Sequence, residues 1–342
     1  MKKIFTALLI LSTCINLYGC NFSKEKYIPQ ENINLNYNNI FSNGMWITNN
    51  NICFPGDKIY NCHFLADKNG TKKIFRNTSA GDVQQYGNTI YMMEFYNNVD
   101  PQTTYYSLNS YDLETGKVSK ISKFKNCKNY MVLDDTVFVL ETDYSKDIRN
   151  FFINKYSLTS KTLTLISDSV LSFGVIDNQL VYLSEENNVV SIFRYDNEND
   201  KIEKIGESTT ELLGFEPLES DFIACYTSEY IFLICTDYSN DSSTILKYSI
   251  KTKEVSQKVF NGCIENFNSY KDYSYFTMFK SEYSEENEVY KISNETFEKI
   301  LLGKFIGGSK IFVGSDDGVY VWPYNGNLSF YSEHAECKII YK

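Results

Sequence analysis

The stretch Gly174–Ile205, GVIDNQLVYLSEENNVVSIFRYDNENDKIEKI, decides the fold. Asp177-Asn178 joins two β-rich runs, and both residue types tolerate the left-handed backbone that a two-residue hairpin needs. Leu180-Val181-Tyr182-Leu183 is apolar, β-branched and aromatic, the composition of a buried strand. Ser184-Glu185-Glu186-Asn187 stops it, Ile192-Phe193-Arg194-Tyr195 starts a second strand, Asn197–Asp200 turns, and Lys201–Ile205 runs back. The whole reads as antiparallel meander with no helical period. One such sheet cannot cover its own apolar faces, so it needs copies stacked against it.

The copies are present. The strand-ending step recurs as Thr142-Asp143-Tyr144-Ser145, Thr236-Asp237-Tyr238-Ser239, Ser281-Glu282-Tyr283-Ser284 and Ser315-Asp316-Asp317-Gly318, with weaker versions at Gly56-Asp57 and Met93-Glu94. The acidic residue therefore falls at Asp57, Glu94, Asp143, Glu185, Asp237, Glu282 and Asp316, a mean step of about 43 residues. A second column pairs an aromatic with an apolar residue ten positions on: Tyr111…Ile121, Tyr156…Ile166, Tyr195…Ile205 and Tyr290…Ile300. Tyr248…Val259 is one residue longer, and Phe64…Ile74 and Tyr320…Phe330 are looser copies at the ends. Two columns in fixed order at a period of about 40–45, with four short strands per unit, are the signature of a β-propeller. The expected fold is all-β, a propeller of seven four-stranded blades; six or eight blades, or a pair of β-sandwiches, are the alternatives.

The expected units are residues 41–75, 83–121, 130–166, 173–205, 222–259, 267–300 and 305–331, with an insertion at 206–221. Cys337–Tyr341 reads as a spare terminal strand that pairs into the first or last blade. Runs such as Val137–Leu140 and Ile231–Ile234 are apolar without alternation, as expected where both faces of a blade are covered by neighbours. The 28 Tyr and 24 Phe among 342 residues supply ample core.

Residues 1–19 read as an export signal: Lys2-Lys3, then the apolar stretch Ile4–Leu17, too short to span a bilayer comfortably. Without Lys2 and Lys3 the net charge moves from −10 to −12. A field of that sign repels phosphate backbones and argues against nucleic acid as a partner. The two histidines, His63 and His334, have no ligand spacing between them and read as structural. Cys53, Cys225 and Cys235 lie in apolar runs and read as small hydrophobes, with a Cys53–Cys62 bridge as a minor alternative.

The seven acids, if in register, would form a ring on one rim. Tyr144, Tyr238 and Tyr283 follow three of them directly, and carboxylates beside aromatic faces suit cations, amines or sugars. The simpler reading is a solvated turn in which each side chain bonds local N–H groups. No motif calls for a cofactor.

Leu17-Tyr18-Gly19-Cys20 resembles the lipobox of bacterial lipoproteins. That resemblance implies cleavage before Cys20, a diacylglyceryl group and acyl chains such as palmitate on that residue, a tether over residues 20–40, and a propeller domain over 41–342 on the outer side of the cell membrane. Tyr111-Asp112-Leu113-Glu114-Thr115-Gly116-Lys117 resembles the blade segment of extracytoplasmic propellers of the TolB-like, quinoprotein-like and WD-repeat-like groups, and the whole resembles propeller lipoproteins of low-GC Gram-positive bacteria. No sialidase Asp box, WD dipeptide or quinoprotein tryptophan motif is present, so no catalytic residue carries over. The expected function is a membrane-anchored scaffold that binds a protein or cell-wall ligand through its loops, without catalysis. The alternatives are a glycan-cleaving enzyme or a divalent-cation site using the rim acids.

Overall fold

The computed structural model describes residues 46–48, 51–55, 63–67, 70–75, 83–100, 103–142, 151–209, 222–280, 285–307, 309–313, 318–323, 328–333 and 335–341. They form seven four-stranded antiparallel sheets, each made of four consecutive strands. Blade 1 is β1 (Trp46–Ile47), β2 (Asn51–Pro55), β3 (His63–Asp67) and β4 (Gly70–Ile74); blade 2 is β5 (Val83–Tyr86), β6 (Thr89–Asp100), β7 (Thr103–Asp112) and β8 (Val118–Lys125). Blade 3 is β9 (Cys127–Leu133), β10 (Thr136–Thr142), β11 (Phe151–Ser157) and β12 (Leu163–Val170); blade 4 is β13 (Ser172–Ile176), β14 (Gln179–Glu186), β15 (Val189–Asp196) and β16 (Lys201–Thr209). Blade 5 is β17 (Phe222–Tyr226), β18 (Tyr230–Asp237), β19 (Ser242–Ser249) and β20 (Val255–Asn261); blade 6 is β21 (Cys263–Tyr270), β22 (Tyr273–Phe279), β23 (Glu286–Ser293) and β24 (Lys299–Ile306). Blade 7 is β25 (Ser309–Val313), β26 (Val319–Pro323), β27 (Leu328–Ser332) and β28 (Ala335–Tyr341).

First strands of successive blades pack on one another, as β5 on β9 and β13 on β17 on β21 on β25, so they surround the axis. The fourth strands then form the circumference. Second-to-third hairpins and blade-to-blade crossings share one face, here the upper; the other two turns of each blade make the lower. The local chemistry fits. Asp177 and Asn178 have φ of 49° and 61°, the left-handed pair read from the sequence, and Asn187 and Asn188 repeat it on the upper face. Each third-to-fourth turn of blades 2 to 6 holds one left-handed residue: Gly116, Lys161, Asp200, Lys253 and Phe297.

Blade interfaces are the core. Trp46, Cys53 and Cys225 are buried there, Cys53 and Cys225 as free thiols, and His63 is buried edge-to-face on Phe75. Strand glycines mark the closest approaches: Gly174 lies against Tyr226, Gly206 against Tyr248, and Gly303 against Tyr331, each in the following blade.

The structure corrects four expectations. The strand at the C-terminus is not spare: β28 is the ordinary fourth strand of the last blade, paired with β27. Part of the expected insertion at 206–221 is the end of β16, which reaches Thr209. In blade 6, Ile292 holds the place of Tyr111, Tyr156, Tyr195 and Tyr248, because it is Ile292 that pairs with the start of the fourth strand, at Lys299. Tyr290…Ile300 is therefore slipped by two residues. In blade 7, Tyr320 and Phe330 pair across the second and third strands, one strand earlier than in the other units.

The apolar column has a physical identity. Ile121, Ile166 and Ile205 are the residues skipped where the fourth strand bulges against the third, and Leu302 is their counterpart in blade 6. These side chains are half-buried, while the residue before each, Lys120, Leu165, Lys204 and Leu301, stays exposed. Blade 5 pairs without a bulge, and the residue its column names, Val259, is exposed on β20 and has no such role.

Candidate functional site

Of the residues singled out in the sequence, Glu94, Glu185, Asp237 and Tyr238 are described. Cys20, Asp57, Asp143, Tyr144, Glu282, Tyr283 and Asp316 lie outside the described residues, as does Cys62. In chain order Asp57, Asp143 and Glu282 come after β2, β10 and β22, and Asp316 between β25 and β26.

The acids are not structural equivalents. Hairpin pairing aligns Ile90, Leu180 and Ile231, which face Tyr111, Tyr195 and Tyr248. Glu94 stands four residues past Ile90, Glu185 five past Leu180, and Asp237 six past Ile231. Successive strand residues point to opposite faces, so Glu185 lies on the opposite blade face from the other two. A uniform acidic crown does not form from these three.

Asp237 is engaged in its own turn. Its Oδ1 accepts from Ser239 N at 3.0 Å and Ser239 Oγ at 2.6 Å, and its Oδ2 accepts from Asn240 Nδ2 at 2.7 Å. Those bonds, the Ser239 hydroxyl first, hold its carboxyl below the usual range. Asp196 and Asp112 cap the turns after β15 and β7 in the same way. This is the solvated-turn reading, realised.

Glu94 does have an equivalent, which the acid column passed over. It is Glu141, four residues past Val137, which pairs with Tyr156. Asn109 Nδ2 donates to Glu94 at 2.9 Å, and the matching Asn154 donates to Glu141. The Lys125 N–H also donates to Glu141, at 3.2 Å. Burial pushes both carboxyls above the ordinary value, with the amides opposing it. The signal was the spacing Asn-x-Tyr at 109–111 and 154–156, two residues ahead of the aromatic column. Among the described residues no three His, Cys, Asp or Glu side chains gather closely enough to hold a metal ion.

The upper face exposes apolar groups at its rim: Phe95 (46%), Tyr96 (50%), Tyr238 (54%) and Ile306 (75%). Phe95 and Tyr96 stand at the base of the β6–β7 hairpin, on β6, the longest strand described. Phe95 meets Tyr106 edge-on at 6.3 Å. On the lower face the exposed Tyr86 is tied by its hydroxyl to Asp134 at 2.8 Å.

No family model matches this chain and no curated protein matches it. Solved structures do. The β-propeller domain of the Trilobed protease from Pyrococcus furiosus superposes with TM-score 0.53 at 16% identity, over 85% of this chain and 94% of that one. The N-terminal domain of Nup159 gives 0.51 at 14%, over 90% and 94%. Pyrococcus horikoshii acylaminoacyl peptidase gives 0.55 at 14%, over 85% of this chain but 50% of that one, and tricorn protease 0.51 at 13%, over 85% and 33%. This chain thus spans a propeller-sized part of those two larger proteins. At such identities the likeness speaks to architecture alone, and with the seven sheets around one axis it establishes that the chain is a β-propeller.

Proposed function

We propose that this is an exported, membrane-anchored binding propeller, acylated at Cys20, that holds a protein partner on its upper face and performs no chemistry of its own. The observation that carries it is the set of exposed apolar side chains at the upper rim of blades 2, 5 and 6, Phe95, Tyr96, Tyr238 and Ile306. Single exposed apolar residues are ordinary on any surface. Here four share one face of a rigid disc, at strand ends and hairpins where such scaffolds carry binding. Aromatic anchors with an aliphatic neighbour suit a protein interface, whose core favours Tyr, Phe and Trp over charge. The saturated bonding of Asp237 supports the same reading, since an acid committed to its own turn is poorly placed to take a cation or protonate a glycosidic bond.

The test places a photo-crosslinking residue at Tyr238 on the upper face, and separately at Asn88 on the lower, in cells making the full chain. A discrete protein adduct at Tyr238 and none at Asn88 is the expected result. Equal labelling at both, or adducts to wall glycan alone, sinks the protein-partner reading. Anchoring is read separately from the mass of the N-terminal peptide and from release of a Cys20→Ser variant.

A further inference from the structure

We propose that the outer edge of blades 1 and 2 lies against a membrane surface rich in anionic phospholipid headgroups. This rests on the anchored reading above for why the chain stays near a bilayer. The fourth strands form the circumference, and the charge on them is uneven. The protein carries −10 overall, yet β4 and β8 carry Lys72, Lys73, Lys120, Lys123 and Lys125 and no Asp or Glu. All five lysines are exposed.

Lysine on an edge strand also blunts strand-to-strand aggregation. That role does not account for the clustering. The edge strand β12 has no lysine and carries Asp168, although Leu163 and Leu165 are exposed on it. On β16 Lys204 pairs with Glu207, and on β24 Lys304 meets Glu286 at 2.8 Å and Glu288 at 3.0 Å. Lys120 and Lys125 act on the carboxylates Glu94 and Glu141 without closing an ion pair among the described residues, and Lys120 and Lys123 lie 4.3 and 3.7 Å from the ring centre of Tyr96. An aromatic ring with lysines on stems that reach outward is the chemistry of a bilayer interface. Lys72 lies 5.4 Å from the ring of Tyr111 in blade 2, so the two edges are continuous.

The chain enters the ring at blade 1. The residues from Cys20 to position 45 reach at most about 90 Å when fully extended. That length alone does not fix which edge meets the bilayer; the distribution of charge does. Attraction to an anionic surface fades within about 10 Å, so only the edge that is basic on its own gains, roughly fivefold in partitioning per lysine. A disc standing on that edge commits Tyr96 to the bilayer and leaves Tyr238 and Ile306, on blades 5 and 6 of the upper rim, open to a partner.

The test is hydrogen exchange by mass spectrometry on the full acylated chain in vesicles of phosphatidylcholine, with or without about 30 mol% phosphatidylglycerol. Peptides covering β4 and β8 are expected to exchange more slowly on the anionic vesicles, while those covering β16 and β20 do not change. About 0.5 M NaCl should remove the difference. The pair K120E/K123E should abolish it at β8, and K120R/K123R should keep it, with the far-side peptides reporting an intact fold in both. Equal exchange on the two vesicles, or protection spread evenly around the ring, overturns the proposal. Binding to neutral vesicles reports the anchor independently. A chain that binds only anionic vesicles, with β4 and β8 protected, would uphold the edge and refute the anchor.

Discussion

Replacing Gly174 by Ala tests how the blades meet. Gly174 is in β13, and a Cβ there would stand 2.2 Å from Cδ2 of Tyr226, 2.6 Å from Cγ and 2.8 Å from Cε2. Carbon atoms in contact sit about 3.5–4.0 Å apart, so the ring or the strand must retreat by roughly 1.3 Å. Tyr226 is fully buried among Ile176, Val181, Leu233 and Leu246, between blades 4 and 5, so any retreat displaces packed neighbours. Overpacking costs about 1–3 kcal/mol, and the depth of this overlap places Gly174→Ala near about 3 kcal/mol. Tyr226→Ala leaves a cavity and costs about 3–5 kcal/mol. In that cavity the methyl added by Gly174→Ala meets no ring, so the same substitution should then cost close to nothing. The double-mutant cycle therefore carries a coupling of about 3 kcal/mol. Urea unfolding followed by far-ultraviolet circular dichroism, with unchanged slope, measures it. Additive costs, or a Gly174→Ala cost under about 0.5 kcal/mol in the parent chain, would refute face-to-face packing of these blades.

Two further expectations follow from the carboxylates. Burial raises Glu141 in the folded chain above the ordinary value of 4.5, so between the two values the folded state holds the proton more tightly and stability falls as pH rises through that window. Glu141→Gln removes this loss, and its stability relative to the parent should improve from about pH 4 to about pH 8; a pH-independent difference contradicts it. Glu94 and Glu265 are raised by burial too, so the dependence flattens without vanishing. Asp237→Ala should speed exchange at the Ser239 and Asn240 amides, which the carboxylate now holds, and leave the blade strands protected. General loss of protection would make Asp237 a determinant of the fold instead.

The repeat was legible because each blade must bury two faces and turn four times, and both demands leave marks at fixed spacing. Asp177-Asn178, the buried run Leu180–Leu183 and the aromatic column mark the limits of the first six blades to within a few residues, whereas the seventh runs on to Tyr341 because β28 completes it. Register was harder. Tyr290 and Ile292 are both buried on the same face of β23, and a two-residue slip preserves that face, so composition cannot choose between them. The bulge that makes Ile121 and Ile205 special depends on pairing, which the sequence does not display. The three described members of the acid column differ in register for a related reason. Acids collect wherever a strand meets solvent, so chain spacing brought together Glu94, Glu185 and Asp237 from three different register positions. Glu141 escaped notice because a buried acid, held by Asn154, looks in sequence like part of an ordinary strand end.

Both proposals require that consecutive four-stranded units pack in chain order around an axis. Among the described residues two ion pairs join consecutive blades: Lys155 Nζ to Asp200 Oδ1 at 2.9 Å between blades 3 and 4, and Lys291 Nζ to Glu333 Oε1 at 2.9 Å between blades 6 and 7. Zero-length carbodiimide cross-linking of the folded chain, read by mass spectrometry, reports them directly. Packing in chain order predicts Lys155–Asp200 and Lys291–Glu333 isopeptide bonds that disappear on unfolding in urea. Their absence, with links joining units distant in the chain order instead, would contradict it.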